Sequence, residues 1–312
     1  MPEIVITEFM KESVVEDLAK DYDVHFDVEL WDKRAELETL VRDATALIVR
    51  NRTQVDRALI DAAPKLKVIG RLGVGLDNLD VPYCQKKGIP IRAARGANAN
   101  SVAEYVITSA MILLRGRFYM SSDRLAAGQW PRQELGQGLE LDGKRLGVIG
   151  LGSIGSTTAS KARALGMVVS AYDPLLPSDN PAWALAKPAT LDEILGGSDV
   201  ITLHIGLSEE TRGMLGAAEL GRMKKGAILI NAARGGIVDE AACAAALKSG
   251  HLGGAAIDVF DQEPIAKEVG ALFAGIPNVI LTPHVSGATR ESNDRVSSMT
   301  VDAVREILRG QS

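Results

Sequence analysis

Arg145-Leu146-Gly147-Val148-Ile149-Gly150-Leu151-Gly152-Ser153-Ile154-Gly155 decides how the rest of this chain is read. Leu146–Ile149 reads as a short buried strand, Gly150 to Gly155 as a G-x-G-x-x-G turn, and Thr157–Leu165 as the helix that follows. A strand feeding a glycine turn at a helix N-terminus builds a pyrophosphate site. Gly150 permits the tight turn, Gly152 lets backbone approach the phosphates, and Gly155 lets helix pack on strand. In a chain with 31 glycines the spacing alone is weak, so the flanks carry the reading. A second apolar strand, Met167–Tyr172, ends in Asp173, 18 residues beyond Gly155, where an acid that hydrogen-bonds the adenosine ribose belongs. Asp173 would also repel a 2′-phosphate, and Asp173-Pro174-Leu175-Leu176-Pro177 holds no Arg or Lys to offset it. NAD is therefore expected over NADP, although an Asp here is also an ordinary strand-end turn former.

Strand and helix patterns alternate on both sides of this unit. Apolar runs at Ile4–Thr7, Val24–Val28, Ala46–Val49 and Leu66–Gly70 are separated by helix-like segments such as Lys33–Arg42 and Val55–Ala62. Ser101 and Glu104 bracket a possible capping box ahead of a long apolar helix, Val102–Leu114. Later strands are expected at Val200–Leu203, Ala227–Asn231, Gly254–Val259 and Val279–Thr282, continuous apolar runs of the kind that parallel sheets bury on both faces. The expected fold is α/β: a doubly wound parallel-sheet (Rossmann) cofactor domain over 99–287, and a smaller flavodoxin-like α/β substrate domain over 1–98 and 288–312. The last helix, near Thr289–Leu308, returns to the first domain, and Gly310-Gln311-Ser312 reads as a flexible tail.

At 312 residues the chain can hold two cores, and 46% hydrophobic with 24% charged residues is the balance of a soluble globular protein. A formal charge of −5 points to neither nucleic acid nor an anionic membrane as partner. Cys84 and Cys243 have no metal-ligand spacing, so no metal is expected and a reducing compartment fits. The start, Met1-Pro2-Glu3, shows no secretory pattern, and no apolar run is long enough to span a bilayer. A cytoplasmic protein is expected.

Hydride transfer to or from a 2-hydroxy acid needs a cation for the carboxylate, an acid/base for the hydroxyl oxygen, and a partner that tunes it. Arg234 follows the strand-like AILINAA and precedes Gly235-Gly236; Glu263 lies just past a strand in DVFDQEP; His284 ends another in LTPHVSG. Singly these read as a surface salt bridge, a solvated loop acid and a structural histidine. Together, each at a strand end below a nucleotide fold, they form an Arg–Glu–His constellation.

At this point the chain resembles the D-isomer-specific 2-hydroxyacid dehydrogenases. The resemblance rests on GLGSIG, Asp173, LINAARGGIVDEAA, AAIDVFDQEP and LTPHVSG, with LGVGLDNLDVPYCQKKGIPI and GANANSVAEYVI upstream, and covers about Ile4 to Leu308. It implies that His284 is the acid/base, Glu263 its partner and Arg234 the substrate anchor. It implies that the backbone at Val74 and Gly75 holds the substrate carboxylate with Asn98 lining the same site. Ser153, Ile154, His204, Ala232 and Ala233 are assigned to the cofactor, and Asp258 to the nicotinamide carboxamide. Oxidation, which needs the neutral imidazole, is expected to have a higher pH optimum than reduction. Arg50, Arg52, Arg71 and Arg132 look like the basic residues with which the phosphoglycerate-dehydrogenase branch receives a second anion, implying a 3-phosphoglycerate- or 3-sulfolactate-type substrate. A glyoxylate or hydroxypyruvate reductase is the alternative, and a dinucleotide-sensing corepressor-like binder is the reading outside enzymes. The chain ends soon after its core, so feedback through a C-terminal regulatory extension is not expected. The apolar helix and the irregular segment after it, near 101–141, are expected to pack on a second copy in a homodimer as in the family, with Arg132 reaching the neighbour's site.

Overall fold

The computed structural model describes residues 2–310; the end of the expected tail, Gln311 and Ser312, lies outside the described residues. The chain divides into two compact units, Met1–Asn98 with Ala288–Ser312, and Ala99–Gly287.

The first unit is built on five parallel strands, β1 (Ile4–Ile6), β2 (Val24–Phe26), β3 (Ala46–Val49), β4 (Val68–Arg71) and β5 (Ile91–Ala93), in the order β2-β1-β3-β4-β5. The registers Ile4↔Ala46 and Ala46↔Val68 put the ends of β1, β3 and β4 side by side. β1, β3 and β4 are buried along their whole length, as their unbroken apolar runs require when helices cover both faces. One side of the sheet packs the core around Leu37, Leu47, Val49 and Ile69, the other the core around Ile6, Ile48, Val68 and Val301. Val301 belongs to the helix Arg290–Leu308, N-capped by the Thr289 hydroxyl, which accepts from the Ser292 N–H. A cap of this kind is worth about 1 kcal/mol. Asp56 and Asp80 cap the helices Arg57–Ala62 and Val81–Lys86 in the same way.

The second unit holds seven parallel strands: β6 (Arg145–Ile149), β7 (Val168–Tyr172), β8 (Lys187–Pro188), β9 (Val200–Leu203), β10 (Ile228–Asn231), β11 (Gly254–Ile257) and β12 (Val279–Leu281). Their order is β12-β11-β10-β9-β6-β7-β8, the doubly wound pattern in which strand order reverses between β6 and β9. The first unit reverses likewise between β1 and β3. Ligands in such sheets bind beyond the carboxyl ends of the strands at the reversal.

One local expectation is corrected. The apolar helix begins at Ala99, so Ser101 sits inside its first turn and not ahead of it; Glu104 accepts from Asn100 one turn back and pairs with Lys161 at 3.4 Å. The apolar excess of this helix is largely used within the unit, where Val102, Val106, Ala110 and Leu113 join the core with Ala159, Ala162 and Ile230. The segment after it breaks the alternation as expected, with the short helices Ser122–Ala126 and Arg132–Leu135, and leaves Phe118, Tyr119, Trp130 and Leu139 exposed.

Candidate active site

The turn after β6 leads into the helix Ser153–Ala164. Gly150 has φ +92° and a Cβ there would stand 2.6 Å from the His204 carbonyl oxygen, while a Cβ at Gly155 would collide with the Gly150 carbonyl. Only glycine fits at either position. In front of Gly152 a Cβ would meet nothing within 4 Å. Among the described residues no protein group accepts from the N–H groups of Gly152, Ser153, Ile154 or Gly155, and no side chain caps the helix. Four donors at a helix N-terminus thus have no protein acceptor, with open space before the first of them, the arrangement that receives a phosphate.

Asp173, directly after β7, accepts from the Leu151 N–H at 2.8 Å and from the Leu175 and Leu176 N–H groups, both at 3.1 Å. A carboxylate offers about four acceptor positions, so one remains for a ribose hydroxyl. Asp173 thus braces the glycine turn as well as closing its own. His204 follows β9. Its Nε2 lies 3.1 Å from the Thr202 hydroxyl, its Nδ1 is buried without a hydrogen-bond partner, and burial pushes its pKa down to about 3. The imidazole is neutral at physiological pH.

Three turns at the carboxyl end of the same sheet carry Arg234, Glu263 and His284. Asn231, the last residue of β10, accepts from the Ala233 N–H through Oδ1 and donates through Nδ2 to the Arg234 carbonyl, closing the turn that presents Arg234. Ala232 and Ala233 are buried in it. A Cβ at Gly235 would collide with the Phe260 carbonyl, so this turn packs directly on the one leading to Glu263. Glu263 Oε1 accepts from the Phe260 N–H at 3.0 Å and Oε2 meets His284 Nδ1 at 2.8 Å. Both side chains remain about a third exposed. Burial would raise the Glu263 pKa, but the hydrogen bonds from His284 and Phe260 and the charges of His284 and Arg234 outweigh it and hold the carboxyl below its ordinary range. An ionised Glu263 can only accept, so Nδ1 carries a proton and Nε2 is the nitrogen left for proton exchange.

His284 has φ +55°, a left-handed conformation that costs about 1–3 kcal/mol and persists only when its surroundings impose it. Asp258 imposes it. Its carboxylate is fully buried and accepts from the Thr282 hydroxyl at 2.6 Å and from the Val285 and Ser286 N–H groups, both at 2.9 Å. Its carbonyl accepts from the His284 N–H at 2.7 Å. The Tyr105 hydroxyl completes the chain at 2.8 Å from Thr282; since Thr282 donates to Asp258, Tyr105 donates to Thr282.

The remaining expected substrate residues, Arg132 apart, belong to the first unit. Arg50 and Arg52 follow β3; Arg71 ends β4, with Val74 and Gly75 in the loop beyond; Asn98 closes the first segment of its unit. Arg71 is buried, with Nη1 donating to the Leu72 carbonyl and lying where a Cβ on Gly73 would stand, so it underpins the loop. The Val74 and Gly75 N–H groups donate to no protein acceptor among the described residues, and Asn98 Oδ1 is buried without a partner. Arg132 is exposed, and its side chain makes no hydrogen bond or ion pair among the described residues.

Residues 108–286 match the family described as D-isomer specific 2-hydroxyacid dehydrogenase, NAD binding domain. The chain belongs to the D-isomer specific 2-hydroxyacid dehydrogenases. It is 48% identical to the (S)-sulfolactate dehydrogenase of Chromohalobacter salexigens over 99% of both chains. It is 37% identical to the D-3-phosphoglycerate dehydrogenase of Archaeoglobus fulgidus over 98% of this chain and 57% of that one. Among solved structures it is similar to the D-lactate dehydrogenase of Aquifex aeolicus complexed with NAD and lactic acid, with a TM-score of 0.83 and 30% identity, covering 99% of this chain and 96% of that one. The protein is thus an NAD-dependent oxidoreductase of 2-hydroxy acids. The four unsatisfied N–H groups, the space before Gly152 and the acceptor capacity of Asp173 fit that cofactor.

For a dehydrogenase of this family, sequence reasoning missed the residues that hold the functional ones. Asn231 stands inside a quoted motif, and a polar residue ending an apolar strand was the available signal. Tyr105 and Thr282 gave none, because their contact joins positions 177 residues apart.

Proposed function

We propose that this dehydrogenase interconverts a 2-hydroxy acid carrying a second anion at carbon 3 with its 2-keto acid, with 3-sulfolactate as the substrate. The carrying observation is the 2.8 Å Glu263–His284 pair, whose carboxylate is also held low by the Arg234 charge. In oxidation His284 Nε2 takes the proton of the C2 hydroxyl, and the ionised Glu263 stabilises the resulting imidazolium. Arg234 binds the substrate carboxylate and polarises the carbonyl that forms; in the first unit the unsatisfied Val74 and Gly75 N–H groups and Asn98 are read as substrate contacts. NAD, when bound, supplies the hydride acceptor; Gly150, Gly152, Ser153, Ile154 and Gly155 would hold its pyrophosphate, Asp173 its ribose, and His204, Ala232, Ala233 and Asp258 the remainder. Arg50 and Arg52 take the second anion, a reading supported by the exposure of Arg52 and by the 48% identity to a sulfolactate dehydrogenase. Free, buried Cys84 and Cys243 fit a reducing, cytoplasmic setting.

The test is a panel of 2-hydroxy acids bearing sulfonate, phosphate, carboxylate or hydrogen at carbon 3, followed by absorbance of the reduced cofactor. Sulfolactate is expected to give the highest kcat/KM, and His284→Ala to lower kcat about 10²- to 10⁴-fold. Preference for the unsubstituted acid would favour a glyoxylate-type reductase, and an active His284→Ala would remove the acid/base assignment. We also infer a homodimer through residues 101–141, supported by Phe118, Tyr119 and Leu139 and by Trp130, which is 79% exposed. Arg132 on that segment would serve the neighbouring copy. Sedimentation at micromolar concentration should give twice the chain mass; a monomer ends this reading.

A further inference from the structure

Glu8, two residues past β1, is an acid that neither the motifs nor the catalytic chemistry uses. It is only 4% exposed, and five donors converge on its carboxylate. Oε1 accepts from the Arg50 N–H at 2.9 Å, the Thr53 N–H at 3.0 Å and the Thr53 hydroxyl at 2.8 Å; Oε2 accepts from the Asn51 N–H at 3.2 Å and the Arg52 N–H at 3.0 Å. Every backbone N–H of the loop 50–53 therefore points at one buried carboxylate. Asn78 holds the opposite side of the loop, donating through Nδ2 to the Arg50 carbonyl at 3.2 Å and to the Thr53 carbonyl at 2.6 Å. Successive N–H groups in a turn form a concavity that normally receives an external anion. Here the protein fills it with its own.

The consequence falls on the two arginines. With the loop backbone fixed on both sides, the Arg50 and Arg52 side chains leave it from set positions. The Arg50 guanidinium lies 5.7 Å from the Phe9 ring centre with Nη2 donating to Asn293 Oδ1 at 2.9 Å; that of Arg52 lies 4.7 Å from the Trp31 ring centre. Neither forms a salt bridge among the described residues, so both keep their charge for an outside anion. The loop stands beyond the carboxyl end of β3 and Glu8 beyond that of β1, at the reversal of strand order where such sheets bind ligands.

We propose that Glu8 is the positioning residue for recognition of the substrate's second anion: its buried carboxylate organises the 50–53 loop so that Arg50 and Arg52 are presented as a preformed guanidinium pair. This rests on the reading that these arginines take that anion. A positioning role and a plain electrostatic one have opposite signs. Removing the Glu8 charge makes the surroundings more positive, so electrostatics alone would tighten binding of a dianion. Loss of positioning weakens it, because a preformed site loses less freedom on binding.

The experiment compares Glu8→Gln with Arg52→Met in the full-length enzyme, using sulfolactate as substrate and NADH binding as the control. Glutamine matches the shape of Glu8 but turns a donor toward the Asn51 and Arg52 N–H groups. Glu8→Gln is expected to raise the KM for sulfolactate about tenfold, with kcat within about threefold of the parent and the NADH Kd unchanged. Amide exchange at 51–53 should accelerate alongside. A merely structural role would move kcat and NADH binding too, and that outcome, or a KM that stays level or falls, overturns the proposal. If Arg52→Met raises KM while Glu8→Gln does not, the positioning role fails and the anion reading stands; if neither raises it, both fail. Should Glu8→Gln not fold, Asn78→Ala, which frees the other side of the loop, is expected to give the same KM signature. An unchanged KM there overturns the proposal equally.

Discussion

The two units share a parallel sheet whose strand order reverses once, yet they treat the reversal in opposite ways. At the β6/β9 reversal four N–H groups, from Gly152 to Gly155, have no protein acceptor, and the space before Gly152 is open. At the β1/β3 reversal four N–H groups, from Arg50 to Thr53, all donate to Glu8. Backbone donors left open recognise a group by its charge and close approach, which suits a pyrophosphate common to every turnover. Backbone donors closed by an internal carboxylate hand recognition to side chains, which can differ from one substrate to another. The difference lies in whether an acid reaches the concavity: Glu8 does so, whereas the first turn of the helix Ser153–Ala164 contains no acidic residue.

The sharpest way to break this comparison is to make the open crevice resemble the closed one. Gly152 has φ −68° and an extended backbone, outside the left-handed region that favours glycine, and its Cβ would meet no neighbour. Gly152→Glu should therefore fold normally. An acid at a helix N-terminus even contributes about 0.3–1 kcal/mol of stability, so the Tm without cofactor is expected to hold or rise slightly. Binding of NADH, by contrast, should weaken by about 100-fold or more, because like charges brought together cost several kcal/mol. Titration of cofactor fluorescence together with a melting curve measures both. Retained NADH affinity in a folded variant would show that the open donors are not the pyrophosphate cradle.

The open crevice was legible in the sequence and the closed one was not, for a physical reason. A backbone cradle needs glycines at fixed spacing, so Gly150, Gly152 and Gly155 announce it within six residues, and Asp173 follows at a set distance. The Glu8 cradle needs one acid and a loop 42 residues later, a pairing fixed by the β1–β3 neighbourhood and not by local spacing. The same holds in the three turns at the carboxyl end of the second sheet. Arg234, Glu263 and His284 stand in compact motifs, but the groups that aim them, Asn231, Asp258 and Tyr105, act through contacts that only the fold creates. Asp258 stands in a quoted motif, while its grip on the His284 turn was not legible there. The helix Ala99–Leu114 adds a similar case: its apolar composition was legible, but not that Val102, Val106, Ala110 and Leu113 pack inward with Ala159 and Ala162 of the helix Ser153–Ala164.

A smaller effect sharpens the contrast in charge. The first unit's reversal gathers Glu8, Arg50 and Arg52, whereas the second unit's keeps His204 neutral, its pKa pushed by burial from 6.5 to about 3. A histidine depressed in the folded state binds its proton first in the unfolded state, so as pH falls below about 6.5 the unfolded form gains. Stability is lost progressively down to about pH 3 and no further below it. At pH 5 this costs about 1 kcal/mol once the incomplete burial of the residue is allowed for, equivalent to about 2–4 °C in Tm for a domain of this size. His204→Gln removes the titrating group while keeping a polar side chain for the Thr202 hydroxyl. Its Tm is expected to drop less than the parent's between pH 7 and pH 5, by that margin. Equal drops in the two proteins would mean that His204 accepts its proton in the folded state, and that the cofactor crevice is as open to charge as its counterpart.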